Sequence, residues 1–421
     1  MTANSPVVLI HATLSWPLAA RLAICFRDLG CRVHSICPAV HPLHFVRGIG
    51  RCYSIRSLSV QESLIKAIEA THADYIVPTD DRAIWQLHAL ATSHPQYRGL
   101  VVRSLGDSKN FELVRSRVSL LTQAESLQIR VPRTVPLRSL QEATCYAESW
   151  SYPALVKRDG TFGGRGVAVV RTPRELLDAY HRLRQNVSVL ARVKRRLVDD
   201  DVLAFSQSSA MPPQEISLQK FVAGTPANAM YSCLQGELLA SLQVRTICAQ
   251  HATGAALIVE RINDPRVEVA GRKLAKALSL TGFFGLDFVL ENDSGQPYLL
   301  EMNPRATQLG HLPLESPDDG GGNLAETLWL AWTGNRAPRP TALPTPTKLP
   351  KRIAFYPQAL VLGGNNSLLT SAWLDRPDKE PDLVRDLSQM GWPERGLLYR
   401  LFHRFHVVPP DEPVVFPDSE N

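Results

Sequence analysis

The chain has 421 residues, enough at roughly 100 to 200 residues per domain for two or three domains that each bury a core without disulfide or metal staples. With 44% hydrophobic and 20% charged residues, it is neither a disordered nor a fibrous sequence. Its 46 basic and 40 acidic residues give +6 without a sustained Lys/Arg block, too weak a balance to make nucleic acid a partner.

From the N-terminus, short apolar runs alternate with helical patterns. Val7 to Ile10 reads as a strand, Leu18 to Leu29 as a helix closed by Gly30, Val33 to Ile36 as a second strand, about Val60 to Ala70 as a second helix, and Tyr75 to Pro78 as a third strand. Strands separated by helices require crossover connections, so the expectation is a small doubly wound parallel sheet, with Thr79-Asp80-Asp81 at the carboxyl edge where such sheets collect ligands. The pattern changes near Gly106. A helix is predicted from Lys109 to about Ser126, then Val131 to Thr134 as a strand, a helix from Gln141 to Ser149, strands at Ala154 to Lys157 and Gly166 to Val170, a helix from Pro173 to about Arg184, and a strand at Ile216 to Val222. Val193 to Gln214 reads as an exposed, irregular insertion.

Two strands, Ala229 to Cys233 and Leu238 to Thr246, flank a Gln235-Gly236-Glu237 turn. A helix from Pro265 to Leu280 precedes a last hairpin, Phe283 to Leu290 and Pro297 to Met302. Prolines recur from Arg336 to Pro350 as in a linker, and the tail beyond carries one strand-like run, Ile353 to Tyr356. The expected domains are 1–107, 108–337 with a nucleotide-lid lobe over about 150–222, and 338–421 as linker and extension.

Seven cysteines without a C-x-x-C pair read as reduced thiols of a cytoplasmic protein. Met1 to Pro6 lacks the positive flank of a signal peptide. No run of about 18 apolar residues occurs, so neither a spanning helix nor a membrane partner is expected.

The chemistry concentrates at the last hairpin. With its loop centred near Ser294, Asp287 lies across from Glu301, and Asn303 follows on the same face. Opposed carboxylates repel unless they hold a cation, and an all-oxygen set of Asp, Glu and Asn suits magnesium, with phosphates and water completing the shell. The alternative is an exposed hairpin with solvated carboxylates, against which stands the apolar run Phe283 to Leu290. A second signal is Lys157 followed by a loop containing Gly160, Gly163, Gly164 and Gly166. Such a loop reads either as a tight hairpin or as a phosphate lid whose backbone N–H groups converge on an anion; it lacks the Lys of a Walker A motif and the helix start of a dinucleotide fingerprint. Arg245, on a long strand, is a candidate fork for a substrate carboxylate or one half of a surface ion pair. His11, Asp80, Asp81 and His311 are weaker candidates, as loop or capping residues that could face a ligand.

Lys157, the glycine loop, Gln219-Lys220-Phe221-Val222-Ala223-Gly224, Asp287 and Glu301-Met302-Asn303-Pro304-Arg305 occur in an order that resembles the ATP-grasp superfamily of ligases over about Asp107 to Asn335. The resemblance implies an α/β chain in which the first domain precedes two lobes that close on ATP. It implies that Lys157 and Lys109 contact the nucleotide phosphates, that Gln219, Lys220, Phe221 and Val222 form the adenine hinge, and that Asn228 stands where the family carries an acidic ribose contact. Asp287, Glu301 and Asn303 would hold magnesium, or manganese in its place, and Arg305 would stabilise the transferred phosphoryl group. The implied reaction activates a small-molecule carboxylate as an acyl phosphate and passes it to an amine. The alternatives are a bicarbonate-activating carboxylase or carbamoyl-phosphate-type enzyme, and a non-catalytic nucleotide-binding scaffold. The resemblance is compatible with a homodimer through the first domain.

Overall fold

The computed structural model describes residues 5–161, 166–185, 188–198, 201–205, 214–314, 322–334, 350–389, 398, 401 and 412–416. The chain opens with β1 (Val7–His11), α1 (Pro17–Asp28), β2 (Arg32–Cys37), β3 (Cys52–Ser54), α2 (Val60–Thr71), β4 (Tyr75–Pro78), α3 (Asp81–Ser93) and α4 (Pro95–Leu105). The strands form a parallel sheet ordered β3-β2-β1-β4, one strand wider than the sequence pattern predicts because three-residue β3 is too short to leave a periodic signal. Pro17 opens α1, where its missing N–H is one of the four the first turn leaves unpaired.

Next come α5 (Phe111–Arg115), α6 (Arg117–Ser126), β5 (Thr134–Pro136), α7 (Leu140–Ser149), β6 (Ala154–Arg158), β7 (Val167–Val170), α8 (Pro173–Arg184), α9 (Val189–Leu197) and β8 (Ile216–Lys220). Their strands make a small antiparallel sheet, β5-β8-β6-β7, with α7 and α8 packed on it around a core of its own that includes Val156, Leu176, Tyr180 and Leu218. Ser139 and Thr172 cap α7 and α8 by accepting the N–H groups of Glu142 and Glu175. Two expectations fail here. The helix predicted from Lys109 to Ser126 is broken at Ser116, which leaves helical geometry and caps α6 by accepting the Ser119 N–H. The irregular insertion predicted at Val193 to Gln214 contains the second half of α9, and Val202 is buried against the first sheet's helices.

The remainder is β9 (Gly224–Leu234), β10 (Glu237–Ala249), β11 (Ala256–Arg261), α10 (Pro265–Leu278), β12 (Gly282–Glu291), β13 (Pro297–Asn303), α11 (Leu324–Thr333), β14 (Arg352–Ala354), α12 (Ser367–Thr370), β15 (Trp373–Leu374), α13 (Pro381–Gln389) and β16 (Val414–Val415). These strands build one large sheet, β13-β12-β9-β10-β11-β14-β15, with β16 also on β10. The segment after residue 350, expected as an extension, therefore finishes a sheet; of the proline-rich linker only Pro350 lies within the described residues. One apolar core joins α1 and the first sheet to the large sheet and this last segment, through Leu22, Phe26, Met230, Val244, Phe283, Leu328, Tyr356 and Leu383. All seven cysteines are free thiols. No helix among the described residues is long and apolar enough to cross a membrane.

Asp375 fixes the last segment to that core. Its carboxylate accepts the Tyr356 N–H at 2.5 Å, pairs with His311 Nε2 at 2.8 Å and lies 3.8 Å from Arg21, all buried. Removing one partner of a buried charge pair strands the other. Asp375→Ala is therefore expected to lower unfolding free energy by about 3 to 5 kcal/mol, measured by urea denaturation; a loss below about 1 kcal/mol would contradict this.

Candidate active site

Strand register assembles the chemistry. In the large sheet Asn228 of β9 lies opposite Asp287 of β12, and Asp287 opposite Glu301 of β13. The opposition expected from the hairpin loop is thus present in the register. Asp287 is gripped by two amides: Asn228 Nδ2 donates to Oδ1 at 2.5 Å and Asn303 Nδ2 to Oδ2 at 3.0 Å. Asn228, expected at the ribose position, donates to the Asp287 carboxylate because it lies directly across from it. Burial, then the charge of Glu301, pushes the Asp287 carboxyl up to about 7. Burial also opposes ionisation of Glu301, but Arg117 and then Lys157 outweigh it and hold that carboxyl down to about 2.

Arg117, which sequence reading missed, is the central cation. It occupies the first position of α6, donates Nη2 to Glu301 Oε2 at 2.7 Å and Nη1 to Asp159 Oδ1 at 2.6 Å, and gives its backbone N–H to Asp159 Oδ2 at 3.1 Å. It thereby ties the glycine-loop end of β6 to the large sheet. Lys109, expected in this role, is exposed, with its ammonium 3.9 Å from Asp107. The cause is the break at Ser116: the helix that reaches the carboxylates starts at residue 117, and residues 108–110 form a separate turn. The readable signal was the Ser116-x-x-Ser119 cap with a basic residue directly after it.

Lys157, one residue before the end of β6, is buried, 5% exposed, and its pKa falls to about 8 through burial and the Arg117 charge. Because the charged form is the disfavoured one, the cost to folding is complete below about pH 8 and fades as pH rises towards the ordinary 10.5. Lys157→Met is therefore expected to raise the ligand-free protein's stability at pH 7 by about 2 to 4 kcal/mol, with a smaller gain at pH 10. Thermal melts at the two pH values check the sign; an equal gain at both would contradict it. Past Lys157, Gly160 has φ +74°, where glycine is unstrained, and a Cβ at Gly166 would lie 1.8 Å from Thr161 Oγ1. Phe162, Gly163, Gly164 and Arg165 lie outside the described residues.

The hinge candidates divide. The Gln219 side chain is buried in the small sheet, where Nε2 donates to Thr134 Oγ1 at 3.0 Å. Lys220, Phe221 and Val222 line a cleft of about 520 Å³ together with Thr134, Asn292 and Tyr298. Asp287 and Glu301 are not among its lining residues.

Arg245, expected as a substrate fork or one half of a surface ion pair, is paired inside the protein. It is buried, and its Nε and Nη2 donate to Glu260 Oε1 at 3.1 and 2.7 Å, because the β10–β11 register sets the two residues opposite each other. Glu260 also accepts from Arg352 at 2.9 Å. Arg305, by contrast, stands between two parts of the molecule: Nε and Nη2 meet the two oxygens of Asp81 at 2.9 and 3.1 Å, and Nη2 reaches Asn303 Oδ1 at 3.1 Å. Asp80 is structural, accepting from Thr13, Leu14 and, as the α3 cap, Ala83. His11 is fully buried rather than facing solvent, and burial lowers its pKa to about 4.

Among the described residues no group of three or more His, Cys, Asp and Glu side chains could hold a metal alone. Two opposed carboxylates and the Asn303 amide oxygen are instead a partial, hard-oxygen set. That donor chemistry fits magnesium, which keeps waters and takes its remaining ligands from phosphates.

Comparison with known proteins bears on the same residues. Residues 116–312, just under half of the chain, match the family described as Carbamoyl-phosphate synthase L chain, ATP binding domain. The carbamoyl phosphate synthase large chain of Pyrococcus furiosus is 23% identical over 227 residues, 52% of this chain and 19% of that one. The chain thus spans about a fifth of the length of the curated relatives it matches. The N5-carboxyaminoimidazole synthetase of Staphylococcus aureus complexed with ADP superposes with TM-score 0.56 at 15% identity, over 79% of each chain. The biotin carboxylase domain dimer of the Hydrogenobacter thermophilus 2-oxoglutarate carboxylase, in complex with MgADP, ADP and bicarbonate, does so with TM-score 0.56 at 16% identity, over 79% of this chain and 71% of that one.

Proposed function

We propose, from the premise that this chain has the ATP-grasp fold, that it is an ATP-dependent ligase which activates a small-molecule carboxylate as an acyl phosphate and transfers it to an amine, releasing ADP and phosphate. The observation that carries this reading is the charge arrangement around Glu301: an opposed Asp287 with Asn303 on one side, and Arg117 and Lys157 on the other. Such a set suits a phosphate chain and its counter-ion, and phosphoryl transfer needs positioning and charge neutralisation more than a protein nucleophile.

Lys157 and Arg117 would hold phosphate oxygens, with Gly160 and Gly166 allowing close backbone approach. Lys220, Phe221 and Val222 would border the base. Asp287, Glu301 and the Asn303 oxygen would hold the divalent ion, whose contribution when bound is to neutralise phosphate charge. Arg305, kept in place by Asp81, would supply the positive charge that stabilises the transferred group. A homodimer, the state named for the Hydrogenobacter domain, belongs to the same proposal.

A second reading takes bicarbonate as the acid, favoured by the bicarbonate named in that complex. A phosphate-release screen of the purified protein with ATP, magnesium and a panel of acids and amines tests both. Release of ADP and phosphate only when acid and amine are both present is the expected result. Stimulation by bicarbonate alone would favour the second reading, and AMP with pyrophosphate would overturn the acyl-phosphate route.

A further inference from the structure

One helix of the small-sheet region is inside out. Helix α9 carries Val189, Leu190, Val193 and Leu197 along one stripe, spaced at i, i+1, i+4 and i+8, and these side chains are 70%, 82%, 36% and 57% exposed. Ala191, Arg192, Arg195 and Arg196, on the other faces, are the half-buried ones. A surface helix ordinarily buries its apolar stripe and shows its charges to water; here the relation is reversed. Asp201 and Val202, beyond it, are anchored. Asp201 accepts from both terminal nitrogens of Arg82 at 2.6 and 3.1 Å, and Val202 is buried among residues of the first sheet's helices.

We infer that α9 is a docking element for an anionic lipid surface. Four basic residues, Arg192, Lys194, Arg195 and Arg196, and no acidic residue lie within the helix. At 100° per residue, Lys194 flanks the apolar stripe on one side and Arg196 on the other. Apolar side chains entering the acyl boundary while long cationic side chains reach the headgroup layer on both flanks is the geometry of an interfacial helix. A groove on an acidic protein would require matching pockets for four side chains; a membrane requires only their apolar character and the charge sign. The lack of a spanning segment has no bearing on this mode of attachment, which needs a stripe and not a run of about 20 apolar residues. One helix of this size gives weak, reversible attachment, of use to a protein that acts at a surface without residing there.

The test uses the full chain in vesicle flotation at low salt, with neutral phosphatidylcholine vesicles against vesicles containing about a third phosphatidylglycerol. Recovery with the anionic vesicles is expected to exceed recovery with neutral ones at least tenfold and to fall as salt is raised. Leu190→Glu with Leu197→Glu should reduce recovery at least tenfold, whereas Leu58→Glu, at a still more exposed apolar position elsewhere, should leave it unchanged. Circular dichroism confirms that the variants fold. Equal recovery on both vesicle types, no recovery on either, or concentration-dependent self-association that Leu190→Glu abolishes would overturn the inference.

Discussion

Replacing Glu301 by Gln is expected to reduce ATP turnover on the order of 10²- to 10³-fold while leaving the fold intact. Glutamine fills the same volume on β13, so strand pairing with Asp287 survives, and a carboxamide oxygen still accepts from Arg117. What disappears is one of the two opposed negative charges, and with it most of the attraction for a divalent cation. A second consequence is specific to this geometry. The Glu301 charge stands behind burial among the causes that push Asp287 up, so Asp287 should ionise at lower pH in the variant. Phosphate release as a function of magnesium concentration reads the first effect, and carboxylate titration by NMR reads the second. Unchanged turnover would remove Glu301 from the catalytic set and with it the reading of this hairpin as a magnesium site, whereas absence of turnover in both proteins under every acid and amine would leave a nucleotide-binding scaffold.

Arg117→Ala is expected to be costly twice. It strips the nearly buried Asp159 of its guanidinium partner, which for a broken buried pair lowers stability by about 3 kcal/mol. It also frees the glycine-loop end of β6 from Glu301, so turnover should fall on the order of 10²-fold even where the protein remains folded. Arg117→Lys separates the two losses. One ammonium can meet Asp159 or Glu301 but lacks the fork that meets both, so it should restore much of the stability and little of the activity. Full activity in the lysine variant would show that charge alone, and not the two-sided link, is required.

The parts legible in the sequence were those in which a period or a spacing carried the signal. The alternating apolar runs of the first eighty residues indicated a parallel sheet, and the hairpin loop near Ser294 indicated that Asp287 would face Glu301, because pairing register follows from loop position. What escaped depends on partners distant in the chain. Arg117 meets a residue 42 positions away and another 184 away, and the Ser116 cap that marks its place in the helix says nothing of either partner. Arg245 read equally as a substrate fork or as half of a surface ion pair because Glu260, its cross-strand neighbour, lies beyond a loop whose length did not fix the register. The tail seemed unattached since its strands have three and two residues, too short for periodicity, and its anchor Asp375 is a single buried carboxylate.

The contrast between the cores carries one more consequence. The first sheet and the large sheet share continuous apolar packing, while the small sheet keeps a separate core and is tied to its surroundings by the Arg117–Asp159 and Arg82–Asp201 ion pairs, with Val202 and Leu203 adding apolar contact. Pairs this buried are little screened by electrolyte, so substitution and not salt is what opens them. Cutting both clasps, by Asp159→Asn with Asp201→Asn, should therefore loosen one layer selectively: hydrogen exchange across β5 to β8 would quicken while amides of the paired larger layers hold their rate.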